Sequence, residues 1–437
     1  MVRKTVTQRI LPPKRLSGEF VVPGDKSISH RAIILSSIAD GSSKISNLSV
    51  GNDCLSTINC LRVLGVRFAR QANKRSIVQI HGADIDGLVE AKNVLDAGNS
   101  GTTMRLLAGV LATRSFFSVI TGDASLRSRP MGRLIEPLRA MGADIRGRAD
   151  DSYAPLVIKG GKLRGLRYAL SVPSAQIKSA ILLAGLFAEG DTIIEQTLVS
   201  RDHTERMLEL MGANLKRDGT RLRLKPLAAS LAPVEVTVPG DISSAAYWLV
   251  AGAIHPNASI RVLNCGVNPT RTGIIDILVA MKAKLKIENQ RDEANEPVAD
   301  LVVESSQLEA TEISGDIVPR LIDEIPVLAV AACMARGTTI IRSASELRVK
   351  ESDRIATTVS ELSRLGAKIE ELPDGMVIHG GAVLSGAEVK SHRDHRLAMS
   401  LAIAGLIARG ETTICDAQVA EISYPDFWIQ LERLVSH

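Results

Sequence analysis

The sequence predicts a large α/β protein assembled from small helix-and-strand subdomains. Three observations point there: a segment that recurs six times, 45% hydrophobic residues over a length of 437, and glycines at matching places in several copies. In the first copy, Val22 to Val66, a turn leads into the apolar helix segment Ala32-Ile33-Ile34-Leu35. A glycine-bounded strand follows near Ser43 to Leu48, then a second helix ending Leu64-Gly65-Val66. The second copy, Ser100 to Ile145, carries Met104-Arg105-Leu106-Leu107-Ala108-Gly109 and closes on Met141-Gly142-Ala143. The third, Ser171 to Leu215, carries Ala180-Ile181-Leu182-Leu183-Ala184-Gly185 and closes on Met211-Gly212-Ala213. Three more open at Val238-Pro239-Gly240-Asp241, at Asp323 (closing on Leu365-Gly366-Ala367) and at Asp394, the last running through Leu401 to Leu434.

Val22-Pro23-Gly24-Asp25 and Val238-Pro239-Gly240-Asp241 each open three copies, so the chain divides into two pseudo-equivalent halves. The expected domains are 22–239 and 240–437, with the N-terminal segment 1–21 joining the later one as a strand. The connections near Glu19 to Pro23 and Pro239 to Asp241 then form a double hinge, and a ligand cleft is expected between the halves.

Composition removes several classes. The longest apolar runs, such as Ala180 to Ala188, fall well short of the roughly 18 residues of a membrane span. The basic segment Met1 to Arg15 has no apolar core of a secretory signal, so the expected compartment is the cytoplasm. Cys54, Cys60, Cys265, Cys333 and Cys415 form no metal-spaced cluster and read as free buried thiols. Net charge is +5, but the basic residues are dispersed and aromatics reach only 3%; small acidic substrates fit this better than nucleic acid.

The polar departures from the repeat gather where copies open. In Val22-Pro23-Gly24-Asp25-Lys26-Ser27-Ile28-Ser29-His30-Arg31, Gly24 allows a tight turn and Ser27 is a good N-cap. Lys26 is then expected just outside the first turn, with Arg31 on the face of Ser27. An ammonium, a hydroxyl, a guanidinium and a helix start would converge on one anion. Alone, the segment is equally an ordinary capped helix. Asn99-Ser100-Gly101-Thr102-Thr103 is a small-residue turn before a helix, and Ser174-Ala175-Gln176-Ile177-Lys178 repeats the theme. Arg127-Ser128-Arg129-Pro130 sets guanidinium groups ahead of a helix. In the later half Asp323-Glu324 precede Pro326 and an apolar helix, where carboxylates favour the dipole; in a cationic cleft Asp323 would also serve as a base. Lys350-Glu351-Ser352-Asp353-Arg354 has the spacing of a solvated salt-bridge face, and Arg393-Asp394-His395-Arg396 that of an exposed charged turn. His30 and His395 have no triad or metal-ligand partners in the sequence and read as structural. No phosphate-loop or dinucleotide fingerprint is present, so no nucleotide cofactor is indicated.

Pro23-Gly24-Asp25-Lys26-Ser27-Ile28-Ser29-His30-Arg31, Gly98-Asn99-Ser100-Gly101-Thr102, Gly122-Asp123-Ala124-Ser125-Leu126-Arg127-Ser128-Arg129-Pro130-Met131 and Arg348-Val349-Lys350-Glu351-Ser352-Asp353-Arg354 occur in this order. Together they resemble the 5-enolpyruvylshikimate-3-phosphate (EPSP) synthase family, the 3-phosphoshikimate 1-carboxyvinyltransferases of the shikimate pathway, over nearly the whole chain. The resemblance implies a two-domain inside-out α/β barrel, each domain built from three βαβαββ-type units, with no metal and no cofactor. It implies that Lys26, Ser27, Arg31, Ser174, Ala175, Gln176, Asp323 and Lys350 hold shikimate 3-phosphate. Lys26, Gly101, Arg127, Gln176, Arg354 and Arg396 would meet phosphoenolpyruvate. The implied reaction adds the 5-hydroxyl of the acceptor to C2 of phosphoenolpyruvate as C3 is protonated, then expels phosphate. Asp323 is the candidate base, with Glu351 and Lys26 candidates for proton transfer at C3. The expected partners are these two anionic molecules, with neither nucleic acid nor membrane, and a monomer is expected.

Two departures qualify the resemblance. Some members carry a lysine shortly before the terminal Pro-Asp, where Ala420-Glu421-Ile422-Ser423-Tyr424-Pro425-Asp426 has none. Members naturally resistant to glyphosate can carry alanine in place of Gly101, so that methyl barrier is absent here and sensitivity stays open. The neighbouring UDP-N-acetylglucosamine 1-carboxyvinyltransferases usually have Lys-Asn at the first turn and often a reactive loop cysteine. This chain has Lys26-Ser27 and no cysteine between Cys60 and Cys265. A nucleic-acid-end binding protein, suggested by the basic charge, is disfavoured by dispersed charge and scarce aromatics.

Overall fold

One subdomain shows how the repeat is built in the computed structural model, which describes residues 6–71 and 74–435. Strands Leu95–Asp96 and Phe117–Thr121 run parallel and are joined by the helix Gly101–Leu111. A second helix, Gly132–Ala140, then leads to the antiparallel pair Asp144–Arg148 and Tyr153–Lys159, which completes a four-stranded sheet. A parallel pair needs a crossover helix and an antiparallel pair only a short turn, so the order strand, helix, strand, helix, strand, strand follows from connection length.

The same order recurs with strands Arg167–Leu170, Thr192–Gln196, Leu215–Asp218 and Arg221–Leu224 around the helices Ala175–Gly185 and His203–Leu210. The subdomain of helices Lys26–Ser37 and Asn52–Val63 takes its parallel edge strand from Glu235–Thr237, far along the chain, which pairs with Ser42–Ser46. These three subdomains form one compact unit, Gly24–Val238 with Glu293–Glu296.

Among the described residues the other unit comprises 6–23, Pro239–Asp292 and 297–435. Its parallel edge strand Leu16–Val21 pairs with Ala258–Gly266. Gln8–Ile10 pairs antiparallel with Thr412–Cys415. Of the segment 1–21 expected to join this half, residues 1–5 lie outside the described residues.

Each unit has its own apolar core. The helices Ile242–Ile254 and Ile325–Met334 are apolar on almost every side and almost wholly buried, as a central helix must be. Trp248 stacks on Phe427 with centroids 5.1 Å apart. The recurring Leu-Gly or Met-Gly at subdomain ends is a helix stop: Gly65, Gly142, Gly212 and Gly366 have φ of 96°, 106°, 90° and 93°, a conformation that glycine adopts without a Cβ penalty. Gly24 has another reason to be glycine, since a Cβ there would lie 1.7 Å from the Asn47 carbonyl oxygen.

Among the described residues no helix is long and apolar enough to cross a membrane, and no group of three His, Cys, Asp or Glu could hold a metal ion. Cys54, Cys60, Cys265 and Cys333 are buried; Cys415 is only half-buried, a departure from five buried thiols. Burial pushes the Cys60 thiol up to about 12, which keeps it protonated and unreactive.

Candidate functional site

In the Gly24–Val238 unit the helix Lys26–Ser37 is capped by Asp25, not Ser27: Asp25 Oδ1 accepts from Ile28 N at 2.9 Å. A carboxylate takes the cap because it also meets the positive end of the helix dipole. Lys26 and Ser27 therefore lie inside the first turn, and Lys26 Nζ sits 3.1 Å from Asp53 Oδ2.

Arg31, one turn on, is buried among hydroxyls. Its Nε donates to Thr204 Oγ1 at 2.6 Å, Nη1 to the Ser27 carbonyl at 2.9 Å and Nη2 to Ser179 Oγ at 2.8 Å. Burial pulls its pKa down to about 10, against the nearby charges of Glu205 and Asp25; Arg201 adds to the lowering. Arg201 was not singled out in the sequence, where it resembles one more dispersed basic residue. His30 is buried with Nδ1 2.7 Å from Thr57 Oγ1, and burial, followed by the charge of Lys26, holds it well below the usual histidine range. It is a neutral core histidine.

Ser100 and Ser174 cap the helices that begin at Gly101 and Ala175, accepting from Thr103 N at 3.1 Å and Ile177 N at 3.4 Å. Arg105 links these two starts: Nη1 donates to Gln176 Oε1 at 2.7 Å, and Gln176 Nε2 donates to Thr102 Oγ1 at 3.0 Å. Arg105 Nη2 reaches the Pro130 carbonyl at 3.2 Å. A Cβ on Gly101 would stand 2.6 Å from Arg105 Nη1 and 3.4 Å from Arg129 Nη1, so glycine makes room for two guanidinium groups. The spacing of four from Gly101 to Arg105, which puts both on one helix face, is the sequence signal for this residue. Arg127 ends the short helix Ala124–Arg127, ahead of the helix Gly132–Ala140 as expected, and its Nη1 donates to the Gly122 carbonyl at 2.6 Å. Arg129 is the arginine beside Gly101 and donates to Asn99 Oδ1 at 2.7 Å.

In the other unit, Asp323 lies on the 3₁₀ turn Ile322–Glu324, immediately before the helix Ile325–Met334. Its Oδ1 is 3.3 Å from Arg354 Nη1, 3.8 Å from Lys350 Nζ and 3.9 Å from Arg396 Nε. The predicted salt-bridge face of Lys350, Glu351 and Arg354 is not on a helix. The helix starts at Arg354, capped by Asp353 Oδ1, which accepts from Ile355 N and Ala356 N at 3.1 Å each; Lys350 and Glu351 are in the loop before it. From that loop Glu351 Oε2 accepts from Arg354 Nη2 at 2.5 Å.

Of the segment read as an exposed charged turn, Arg393 is exposed but the three residues after it are buried instead. Asp394, His395 and Arg396 are 0%, 1% and 7% exposed. Asp394 is needed inside, since it caps the helix His395–Gly405 through Arg396 N at 2.9 Å and takes Arg354 Nε at 2.8 Å. Burial would raise its carboxyl, but the charge of Arg354 prevails and holds it below the usual carboxylate range. Burial opposes the charges of Arg354 and Arg396 too. It is outweighed by Asp394 and Glu351 at the first and by Asp323, Tyr247 and Glu324 at the second, so both are raised.

Chemically, the first cluster is a set of cations and hydroxyls suited to phosphate and carboxylate groups. The second sets a carboxylate, Asp323, within 4 Å of three cations, so a hydrogen-bond acceptor stands beside groups able to bind an anion. Residues 10–431 match the family model of EPSP synthase (3-phosphoshikimate 1-carboxyvinyltransferase). The chain belongs to the EPSP synthase family. Within that family it is 55% identical over 425 residues to the 3-phosphoshikimate 1-carboxyvinyltransferase of Chloroflexus aggregans, covering 97% of each chain. It is 54% identical over 426 residues to that of Gloeobacter violaceus, covering 97% of this chain and 98% of the relative. A solved EPSP synthase from Acinetobacter baumannii superposes with a TM-score of 0.88 at 42% identity, over 98% of each chain. The enolpyruvyl transferase NikO from Streptomyces tendae, at 19% identity and a TM-score of 0.81 over 98% of this chain and 97% of its own, shares the fold.

Proposed function

We propose that the chain carries out the reaction of the EPSP synthase family. It transfers the enolpyruvyl group of phosphoenolpyruvate to the 5-hydroxyl of shikimate 3-phosphate in the shikimate pathway, giving 5-enolpyruvylshikimate 3-phosphate and phosphate. The family match across residues 10–431 carries this reading.

Lys26, Ser27, Arg31, Ser174, Ala175, Gln176, Asp323 and Lys350 serve shikimate 3-phosphate. Arg31, with three donors engaged within the protein, contributes charge and fixes Ser27, Ser179 and Thr204. Lys26, Gly101, Gln176, Arg354 and Arg396 serve phosphoenolpyruvate. Arg129 and Arg105, which flank Gly101, are better placed to join them than Arg127.

Asp323 takes the proton of the 5-hydroxyl as its oxygen bonds to C2, while C3 is protonated by Glu351 or Lys26. A proton then leaves C3 of the tetrahedral adduct as the C2–O bond to phosphate breaks, and the arginines stabilise the departing charge. The architecture is proposed to be the family's inside-out α/β barrel of two domains with three βαβαββ-type units each. The enzyme is proposed to act as a cytoplasmic monomer without cofactor or metal.

The test is phosphate release from phosphoenolpyruvate, with shikimate 3-phosphate and UDP-N-acetylglucosamine offered in parallel as acceptors. Release with shikimate 3-phosphate alone supports the reading. Release with the nucleotide sugar alone, or with neither, overturns it.

A further inference from the structure

Arg396 differs from the other buried arginines of this chain in how it is held. Arg354 is hydrogen-bonded to Asp394, Glu351 and Asp323, and Arg31 to Thr204, Ser179 and the Ser27 carbonyl. The Arg396 guanidinium, 8% exposed, instead stands between two carboxylates at almost equal range. Asp323 Oδ1 is 3.9 Å from its Nε and Glu324 Oε1 is 3.8 Å from its Nη1. Both lie within Coulomb reach, yet beyond the roughly 3.2 Å of a formed N–H···O bond. The guanidinium keeps its donors.

Glu324 is held by partners of its own. Its Oε1 accepts from Ser243 Oγ, which accepts from Arg271 Nη2 at 2.7 Å, and Arg271 Nη2 is also 3.9 Å from Glu324 and 3.5 Å from Asp241 Oδ1. Glu324 is itself 1% exposed, at the end of the same 3₁₀ turn that carries Asp323. A second, anchored carboxylate thus stands at almost the same range from Arg396 as Asp323 does.

We infer that Glu324 is a positioning residue. By opposing Asp323 it keeps Arg396 from closing into an ion pair with the candidate base, so the guanidinium remains a ready donor for the enolpyruvyl donor and Asp323 remains a base. This rests on the reaction proposed above. Without the charge at 324, the nearest carboxylate left to Arg396 is Asp323, and a contact near 2.8 Å would consume both groups at once.

The sign of the effect separates this role from simple electrostatics. Removing a negative charge next to an anion site should, by Coulomb's law alone, tighten anion binding. Loss of positioning should weaken it. Steady-state kinetics of Glu324→Gln, which keeps the shape and the Ser243 bond, are measured against wild type with both substrates varied. The expected result is a KM for phosphoenolpyruvate raised about tenfold or more together with a lower kcat. Glu324→Asp, which keeps the charge, should recover much of the loss. A lowered or unchanged KM for phosphoenolpyruvate in Glu324→Gln overturns the inference. So does a lower kcat with wild-type KM values, which is the signature of a smaller folded fraction. Should Glu324→Gln not fold, Ser243→Ala decides, since it removes the hydrogen bond that anchors Glu324 and leaves its charge: a raised KM for phosphoenolpyruvate supports positioning and an unchanged one overturns it. Wild-type enzyme inactive with both substrates would instead sink the proposed reaction.

Discussion

Arg31 and Arg354 are both buried guanidinium groups next to a helix start, yet their surroundings are opposite. Arg31 is framed by hydroxyls and a carbonyl, and burial takes its pKa down to about 10; Arg354 is framed by three carboxylates and its pKa is raised. Neutral acceptors satisfy the N–H groups without cancelling the charge, so the first frame leaves positive potential for an anion to use. Carboxylate acceptors offset it in part, and in the second frame Arg354 also holds Asp323, Glu351 and Asp394 in place. One frame surrounds a guanidinium with neutral acceptors and the other with carboxylates.

Asp323→Ala should break the second frame most deeply in function. Loss of the candidate base is expected to lower kcat by about 10²- to 10⁴-fold, while the stability of the Gly24–Val238 unit is untouched. Steady-state phosphate release checks the rate, and a drop of less than tenfold would remove Asp323 from the role.

Asp394→Ala should break the same frame structurally. It leaves Arg354 Nε without its carboxylate acceptor and uncaps a helix, a loss of about 3–5 kcal/mol, read as a lower urea midpoint. The wild-type frame also has a pH signature. Because the Asp394 carboxyl lies below its unfolded value in the fold, its contribution is present above the ordinary carboxylate range and is lost as pH falls through the folded value. Urea midpoints that did not fall between about pH 5 and pH 3 would contradict this.

The hydroxyl frame should yield less. Thr204→Val removes the acceptor of Arg31 Nε with little change of shape, and about 1–3 kcal/mol is expected, smaller than for Asp394→Ala on the same urea assay. The smallest effect belongs to the partly exposed pair of Lys26 and Asp53. Asp53→Asn should change stability by less than about 1 kcal/mol, and a larger loss would mean that Lys26 needs this carboxylate structurally.

Much was legible in the sequence because it depends on neighbours along the chain. The apolar periods of Ala180–Ala188 and Pro326–Ala335, the Leu-Gly and Met-Gly helix stops, and the caps Ser100 and Ser174 are local, and each stood where its residue types indicated. So were the clusters around Lys26, Gly101, Gln176 and Asp323, since scaffold alone does not require polar residues at those openings. Local rules misled where a distant partner outbid a near one. Lys350 and Arg354 have helical spacing, but Asp353 caps the helix after Lys350. Asp394 and Arg396 look like a solvated turn until Arg354, 40 residues away, comes within 2.8 Å of Asp394.

The sequence by itself determined the repeat, the division into halves, the family and the residues that carry charge to the subdomain openings. These follow from local periodicity, turn chemistry and motif order. Only the tertiary structure decided which charges cancel. Whether a guanidinium meets hydroxyls, as Arg31 does, or carboxylates, as Arg354 does, depends on which remote segments pack against it. These two buried charges are satisfied by what the fold brings within about 3 Å, and chain order does not encode that distance.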